Sequence, residues 1–279
     1  MLNLFRKSVW YVSSRTPPLR GKERLVALLS RPNSPRLLRI KRGGVFWLLQ
    51  GHDLNEFALA IRPSYSHSVS ESLAREIETR TVQVLWDVGA NIGAISLPLL
   101  KKYKQLHAVL FEPSAEVAGR LIRNLCSNKD LWQRSKIMNI ALSNVDGITN
   151  FHVSSEQFNS GTGGLGLSHN RFDVPIGIQS FTGDNLVASG ACPIPELIKI
   201  DVEGFEYEVF TGLTNTLITH HPSIIFEHSL YRLKERNLPL DKVVSLLDSY
   251  GYGVFRQPDN KPVTSSDLDR DADFVARAI

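Results

Sequence analysis

From residue 82 onward, short and nearly unbroken apolar runs alternate with stretches of helical character. No other feature of the chain constrains its fold as much. The runs are VQVLWDV (82–88), HAVLFEP (107–113), KIMNIAL (136–142), LIKIDV (197–202) and SIIFEH (223–228). A strand covered on both faces reads as continuous Val, Ile and Leu, whereas a half-solvated strand alternates with polar residues. Strands that alternate with helices predict a mostly parallel α/β sheet built from crossover units, with helices on both faces. Near the end, a helix over 240–250 precedes YGVFRQ (252–257) and DFVARAI (273–279), which are expected to pair as an antiparallel hairpin at the sheet edge.

Residues 1–80 read differently, as an extension and helical/β cap on a main domain over 81–279. KERLVALLS (22–30) predicts a short helix, which RPNSP (31–35) ends because proline lacks an N–H and restricts its predecessor. VFWLLQ (45–50) predicts a strand. A helix is expected around 68–79, with Ser68 or Ser70 as N-cap and Glu71 in its first turn. The stretch 143–196 is less regular, with an extra strand over 149–153 and a Gly-rich loop, NSGTGGLG (159–166), suited to a substrate.

The net charge of +4 is unevenly distributed. Residues 1–42 hold eleven Lys and Arg against Glu23, a balance of +10, which leaves −6 on the other 237 residues. A nucleic-acid-binding domain more often carries its basic stripe on the folded body, so nucleic acid is not the expected partner. The basic segment is a candidate for contact with anionic lipid or a phosphate-bearing substrate. No apolar run approaches a membrane span, and the interrupted start is a poor secretory signal, so a cytoplasmic protein is expected. Cys126 and Cys192 have no spacing that suggests a disulfide framework or a zinc site.

In an open α/β sheet, ligands bind beyond the carboxyl ends of the strands. After the first strand stands DVGANIG (87–93), a GxxxG turn without the third glycine of dinucleotide binders. Asp87 would repel a pyrophosphate and suits a cationic ligand, an ammonium or a sulfonium. After the second strand, Glu112 is placed to accept hydrogen bonds from two ribose hydroxyls. After the fourth come Asp201, Glu203, Gly204 and Glu206, and acids at the end of a buried run must be paired or used. After the fifth come Glu227 and His228, and an imidazole there suits a general base near neutral pH.

Together these motifs resemble the FkbM-type S-adenosylmethionine-dependent methyltransferases. The resemblance rests on WDVGANIGAISL (86–97), FEPS (111–114), NIALSN (139–144), LIKIDVEGFEYEVFTGL (197–213) and IIFEHS (224–229), and it covers roughly residues 45–257. It implies the Rossmann-like class I methyltransferase fold, a seven-stranded sheet with its last strand antiparallel. It also implies S-adenosyl-L-methionine as cofactor, with Asp87, Gly89, Ala90, Asn91 and Gly93 around its methionine part. Glu112 and Pro113 would lie at the ribose, and the segment from Asn139 to Ala141 would border the adenine. Asp201 would lie against the cofactor and, with Glu203, near the reacting centre. The implied reaction is O-methylation of a sugar, polysaccharide or secondary metabolite. An acid that the family usually carries after the tyrosine near position 65 is absent here, where the chain reads Ser64, Tyr65, Ser66, His67.

A hydroxyl needs a base as its new bond forms, and Glu203 and His228 are the candidates, with Asp201 orienting the cofactor or the base. No fuller ligand set accompanies Asp201 and Glu203, so no metal is expected. A nucleic-acid N-methyltransferase would carry a Pro-Pro-aromatic run where this chain has Asp201, Val202, Glu203 and Gly204. A non-catalytic cofactor-binding scaffold on the same fold is the other alternative, against which the full set of strand-end acids argues.

Overall fold

The computed structural model of the 279-residue protein describes residues 37–50, 53–61, 67–153, 164–165, 174–257 and 259–279. The basic residues 1–36, their expected helix over 22–30, the segment around Tyr65 and loop residues 159–163 lie outside it.

The described chain opens with β1 (Leu37–Arg42) and β2 (Val45–Gln50), an antiparallel hairpin, followed by α1 (Leu54–Ile61) and α2 (His67–Arg80). Strand β2 is the expected strand over 45–50, and Val45, Trp47 and Leu49 on alternate positions are fully buried. Helix α2 buries Val69, Leu73 and Ile77, the i, i+4, i+8 stripe that lies on one helical face. It starts one residue before Ser68, whose hydroxyl donates to Asp273 Oδ2 at 3.2 Å.

The main sheet begins with β3 (Val84–Val88), α3 (Ser96–Lys102), β4 (His107–Phe111), α4 (Ala115–Cys126), α5 (Lys129–Trp132) and β5 (Ser135–Met138). A second, four-stranded sheet follows. It contains β6 (Ala141–Leu142), β7 (Gly147–Val153), β8 (Gly164–Leu165) and β9 (Val174–Phe181), and α6 (Gly183–Ala188) leads out of it. The chain then returns through β10 (Leu197–Ile200), α7 (Glu206–Thr211), α8 (Thr214–His220), β11 (Ser223–His228), α9 (Leu230–Glu235) and α10 (Lys242–Ser249). It finishes with β12 (Tyr252–Arg256) and β13 (Ala272–Ala278).

The seven-stranded sheet runs β12-β13-β11-β10-β3-β4-β5, with β13 antiparallel to both neighbours and the central strands parallel. This is the class I methyltransferase fold, with the expected C-terminal pairing of β12 and β13. The continuous apolar runs have a direct cause. Leu85, Leu110, Leu197, Ile225 and Val275 point to the face covered by α2, α3, α4 and the hairpin. Their neighbours Trp86, Phe111, Ile198, Phe226 and Phe274 point to the opposite face, packed by α7, α8 and α10.

One expectation needs correction, and one strand was unforeseen. KIMNIAL is not one strand. Strand β5 ends at Met138, and Asn139 turns the chain out by donating to the carbonyls of Glu112 (2.7 Å) and Pro113 (3.1 Å). Ala141 and Leu142 then join the second sheet. Strand β9 is unforeseen because Pro175, Gly177, Gln179 and Ser180 interrupt its apolar pattern. Among the described residues, β7 alone pairs with it at Pro175, and such a one-sided position in a sheet is where proline is tolerated.

Candidate active site

The turn after β3 is held by its own backbone. Gly89 and Ala90 both donate to the Phe111 carbonyl, at 3.0 and 2.9 Å. Gly89 has φ +79°, and a Cβ there would stand 1.9 Å from the Asp201 carbonyl oxygen. Glycine is therefore required both by conformation and by the close approach of the loop after β10. Asn91 continues the turn at φ +50°, and its side-chain oxygen accepts from the Ile92 N–H at 2.8 Å.

Asp87 is 1% exposed and does not face open solvent. Its carboxylate accepts from Ser96 Oγ at 2.5 Å and lies 3.1 Å from Lys199 Nζ. Lys199 in turn donates to the Gly89 carbonyl at 2.9 Å and lies 3.5 Å from Asp201. The cation nearest Asp87 is thus the chain's own Lys199, and the pair locks β3, the glycine turn and β10 together. A buried ion pair contributes such geometric definition more surely than net stability.

Glu112 is buried at the end of β4, where Asn91 N–H donates to one carboxyl oxygen (3.0 Å) and Ser114 N–H to the other (2.9 Å). Burial nevertheless dominates and pushes its pKa up to about 7. Pro113 follows at the edge, and Ala141 is buried against Phe151 and Ile178 of the second sheet.

The acids after β10 occupy a tight turn. Glu203 has φ +56° and Gly204 φ +93°, and a Cβ on Gly204 would meet Arg232 Cβ at 2.6 Å. Glu206, 3% exposed, holds the turn from inside, one carboxyl oxygen accepting from Val202 and Gly204 N–H at 3.2 Å each. Its burial raises its pKa to about 7. Arg232 holds the turn from outside, donating from Nε (3.1 Å) and Nη2 (2.8 Å) to Glu203, and Arg236 donates to the Gly204 carbonyl. Asp201 keeps an open side chain, 45% exposed.

Glu227 and His228 lie on opposite faces of β11. Glu227 is pushed up to about 9, first by burial, then by Asp201, Glu203 and Glu206, and through a hydrogen bond to Asp201. Asp273 pairs with Glu227 across β11 and β13, and burial raises its pKa too. His228, expected as a candidate base, stands at the same strand end as Glu227 but points away from it. His228 is 3% exposed, its Nε2 lies 3.0 Å from the Leu268 carbonyl, and its ring packs on Phe274 at 5.4 Å. The cause is the two-residue period of the strand, which sends His228 with Phe226 to the far face.

Asp87, Lys199, Asp201, Glu227 and Asp273 therefore form a polar track on one face across β3, β10, β11 and β13. Lys199 and Asp273 are its unforeseen members, and Arg232 is the unforeseen partner of the turn beside it. Lys199, Glu206 and Glu227 stood inside the singled-out motifs, but sequence does not show which acid meets which cation.

The chain is similar to known methyltransferases. Residues 87–254 match the model of the Methyltransferase FkbM domain. The hexuronic acid methyltransferase AglP of Haloferax volcanii is 34% identical over 141 residues, 50% of this chain and 54% of that protein. The chain thus spans about half the length of that relative. The 2-O-methyltransferase NoeI of Sinorhizobium fredii is 28% identical over 210 residues, covering 71% of this chain and 84% of that protein. The crystal structure of Methyltransferase FkbM from Methylobacillus flagellatus KT aligns with a TM-score of 0.46 at 16% identity, over 70% of this chain and 43% of that one. With the family model matched over more than half its length, the chain belongs to the FkbM methyltransferase domain family.

Proposed function

We propose that the protein is an S-adenosylmethionine-dependent O-methyltransferase acting on a sugar hydroxyl. The observation that carries this reading is the adjacency of the Gly89 turn and the Asp201–Glu227 pair, with the Asp201 carbonyl closing directly over Gly89. Family membership, a hexuronic acid methyltransferase and a 2-O-methyltransferase among the relatives support the reaction class.

The residues present fit the cofactor. Gly89 and Gly93 both sit at positive φ where a Cβ would strike the Asp201 carbonyl or Leu97 and Leu121, so the turn from Gly89 through Ala90 and Asn91 to Gly93 is held tight, as a loop that receives a ligand on its backbone must be. Glu112 is a buried carboxyl with acceptor capacity beyond its two backbone bonds, as a ribose diol requires. Pro113 and Ala141 border the same edge. Bound S-adenosylmethionine supplies an electrophilic methyl group on a sulfonium. Asp87 acts through Lys199 and Ser96, fixing the turn that receives the cofactor's methionine part.

The acceptor hydroxyl gives up its proton as it is methylated. Glu227, held protonated by burial and by the acids around it, is hydrogen-bonded to Asp201, whose side chain is 45% exposed. In this reading Asp201 is the base, and Glu227 stabilises its charge through their hydrogen bond. Glu203 is held by Arg232 and shapes the turn, while His228 anchors β11 to Leu268.

Calorimetric titration with S-adenosylhomocysteine tests the reading, run on the wild type and on Glu112→Ala and Asp87→Ala. Binding by the wild type, weakened about tenfold or more in both variants, is expected. A well-folded wild type that does not bind overturns it.

A further inference from the structure

The polar track does not stop at Asp273. Beyond it a cleft of about 320 Å³ opens between the start of α2, the end of β12 and the start of β13, at the carboxyl edge of the sheet. Its polar lining is Ser68, Arg256, Gln257, Arg270, Asp271 and Asp273. Asp273 joins it to the reacting edge, because the same residue pairs with Glu227 across the strands and accepts from Ser68.

Apart from the Ser68 hydroxyl, the polar lining is made of planar, two-pronged groups: two guanidiniums, two carboxylates and a carboxamide. Such groups meet adjacent hydroxyls on a ring, one prong to each. Both guanidiniums already have carboxylate partners. Arg256 lies 3.1 Å from Asp267 and 2.7 Å from Asp259, and Arg270 lies 2.6 Å from Asp267. Asp271 accepts from the Leu230 N–H at 2.7 Å and has acceptor capacity beyond that bond. Among the described residues, Arg256 Nε and Gln257 Nε2 are buried donors without a partner.

The local charge decides what can enter. Counting Lys261, which lies 3.8 Å from Asp259, three cations stand with four carboxylates, Asp259, Asp267, Asp271 and Asp273. An anionic sugar would compete with those carboxylates for guanidiniums already paired. A neutral one donates its hydroxyls to Asp271 and Asp273 and accepts from Arg270 and Gln257. The geometry points to this cleft as the acceptor subsite, and to an uncharged polyhydroxylated ring, not a uronate, as its occupant. This inference rests on the sugar O-methyltransferase reading and adds where the acceptor sits and what charge it carries.

The test is saturation-transfer NMR on the full chain with S-adenosylhomocysteine present. The probes are the methyl pyranosides of glucose, galactose and mannose and the matching methyl uronosides. We expect transfer to at least one neutral glycoside, about threefold or more above its uronoside, and a loss of similar size in Asp273→Asn and in Arg270→Ala. Arg270 has a 63% exposed side chain, so Arg270→Ala keeps the test decisive if Asp273→Asn disturbs the fold. Uronosides that bind as well as neutral glycosides, neutral signals unmoved by either folded variant, or no neutral signal at all would each overturn the inference. Calorimetry on the same samples separates the two failures. Retained S-adenosylhomocysteine binding confines the failure to the cleft, and lost binding in folded wild type removes the methyltransferase reading and the cleft with it.

Discussion

Two adjacent residues, Glu227 and His228, show how much one position of register decides. Both are titratable groups at a strand end, and composition alone cannot rank them. In the structure one is hydrogen-bonded to Asp201 and the other is spent on a backbone carbonyl. The expected contrast is sharp. Asp201→Asn lowers turnover on a methyl-accepting glycan by about 10²–10⁴-fold, the usual contribution of a positioned base. His228→Gln, which retains a group for the Leu268 carbonyl, keeps turnover within about threefold, because the side chain lies on the far face. Equal losses in both variants would return the base assignment to His228. Glu112 makes a second prediction. With its pKa at about 7, it must ionise to accept fully from a ribose diol. S-adenosylhomocysteine binding should therefore tighten about tenfold from about pH 6 to about pH 8, and Glu112→Gln should flatten that dependence.

Among the elements, α4 does the most to unite cap and domain. Arg120, Asn124 and the following Asn128 repeat every four residues and so share one helical face. Arg120 reaches Asp53 and Glu56, both at 3.0 Å, and is itself buried. Asn124 accepts from Leu48 N–H at 2.9 Å and donates to the Ile92 carbonyl at 3.2 Å, tying the hairpin to the glycine turn. Arg120→Met should cost about 3–5 kcal/mol, because it leaves two buried carboxylates without their cation. Denaturant unfolding followed by circular dichroism would measure it, and a loss under about 1 kcal/mol would mean the network is not cooperative. The strand over 45–50 was legible in the sequence because VFWLLQ is a short, nearly unbroken apolar run. Its partner β1 was not, since LLRIKR mixes charge into both of its faces. The stripe 120/124/128 was equally silent, because polar residues on a helix ordinarily mean solvent.

For the whole molecule, proton uptake on folding sets the pH dependence. Glu56, Glu112 and Glu206 are raised to about 7 and Glu227 to about 9, all chiefly by burial. The folded protein binds more protons than the unfolded chain from about pH 4.5 upward, so the stability these acids contribute is present below that and lost as pH rises through 7 to 9. Glu76 and Asp267 act oppositely: lowered by their arginine and hydroxyl partners, they lose their contribution as pH falls below the ordinary carboxylate range. The cofactor-free protein should melt several degrees higher near about pH 5.5 than near about pH 8.5, and Glu227→Gln should shrink that difference. A flat or rising profile in scanning calorimetry would contradict the buried acids' protonation. At this scale the sequence was most informative. Doubly covered strands cannot hide their apolar runs, so sheet, crossovers and the terminal antiparallel pair were all readable. The second sheet was not, because strands that lie outside the main core carry proline, glycine and polar residues at little cost.

The amides of Asn124 and Asn128 also decide how the protein meets copies of itself. Phe46 would otherwise present a bare N–H and C=O, and Leu48 a bare N–H, along the flank of β2 away from β1. A strand with such a flank recruits further strands. Here two carboxamides stand in for the missing neighbour and blunt the edge without adding a strand. Replacing both with leucine would preserve the apolar packing and strip this protection. The expected result is concentration-dependent association in light scattering, growing while the secondary structure of the remaining domain is unchanged.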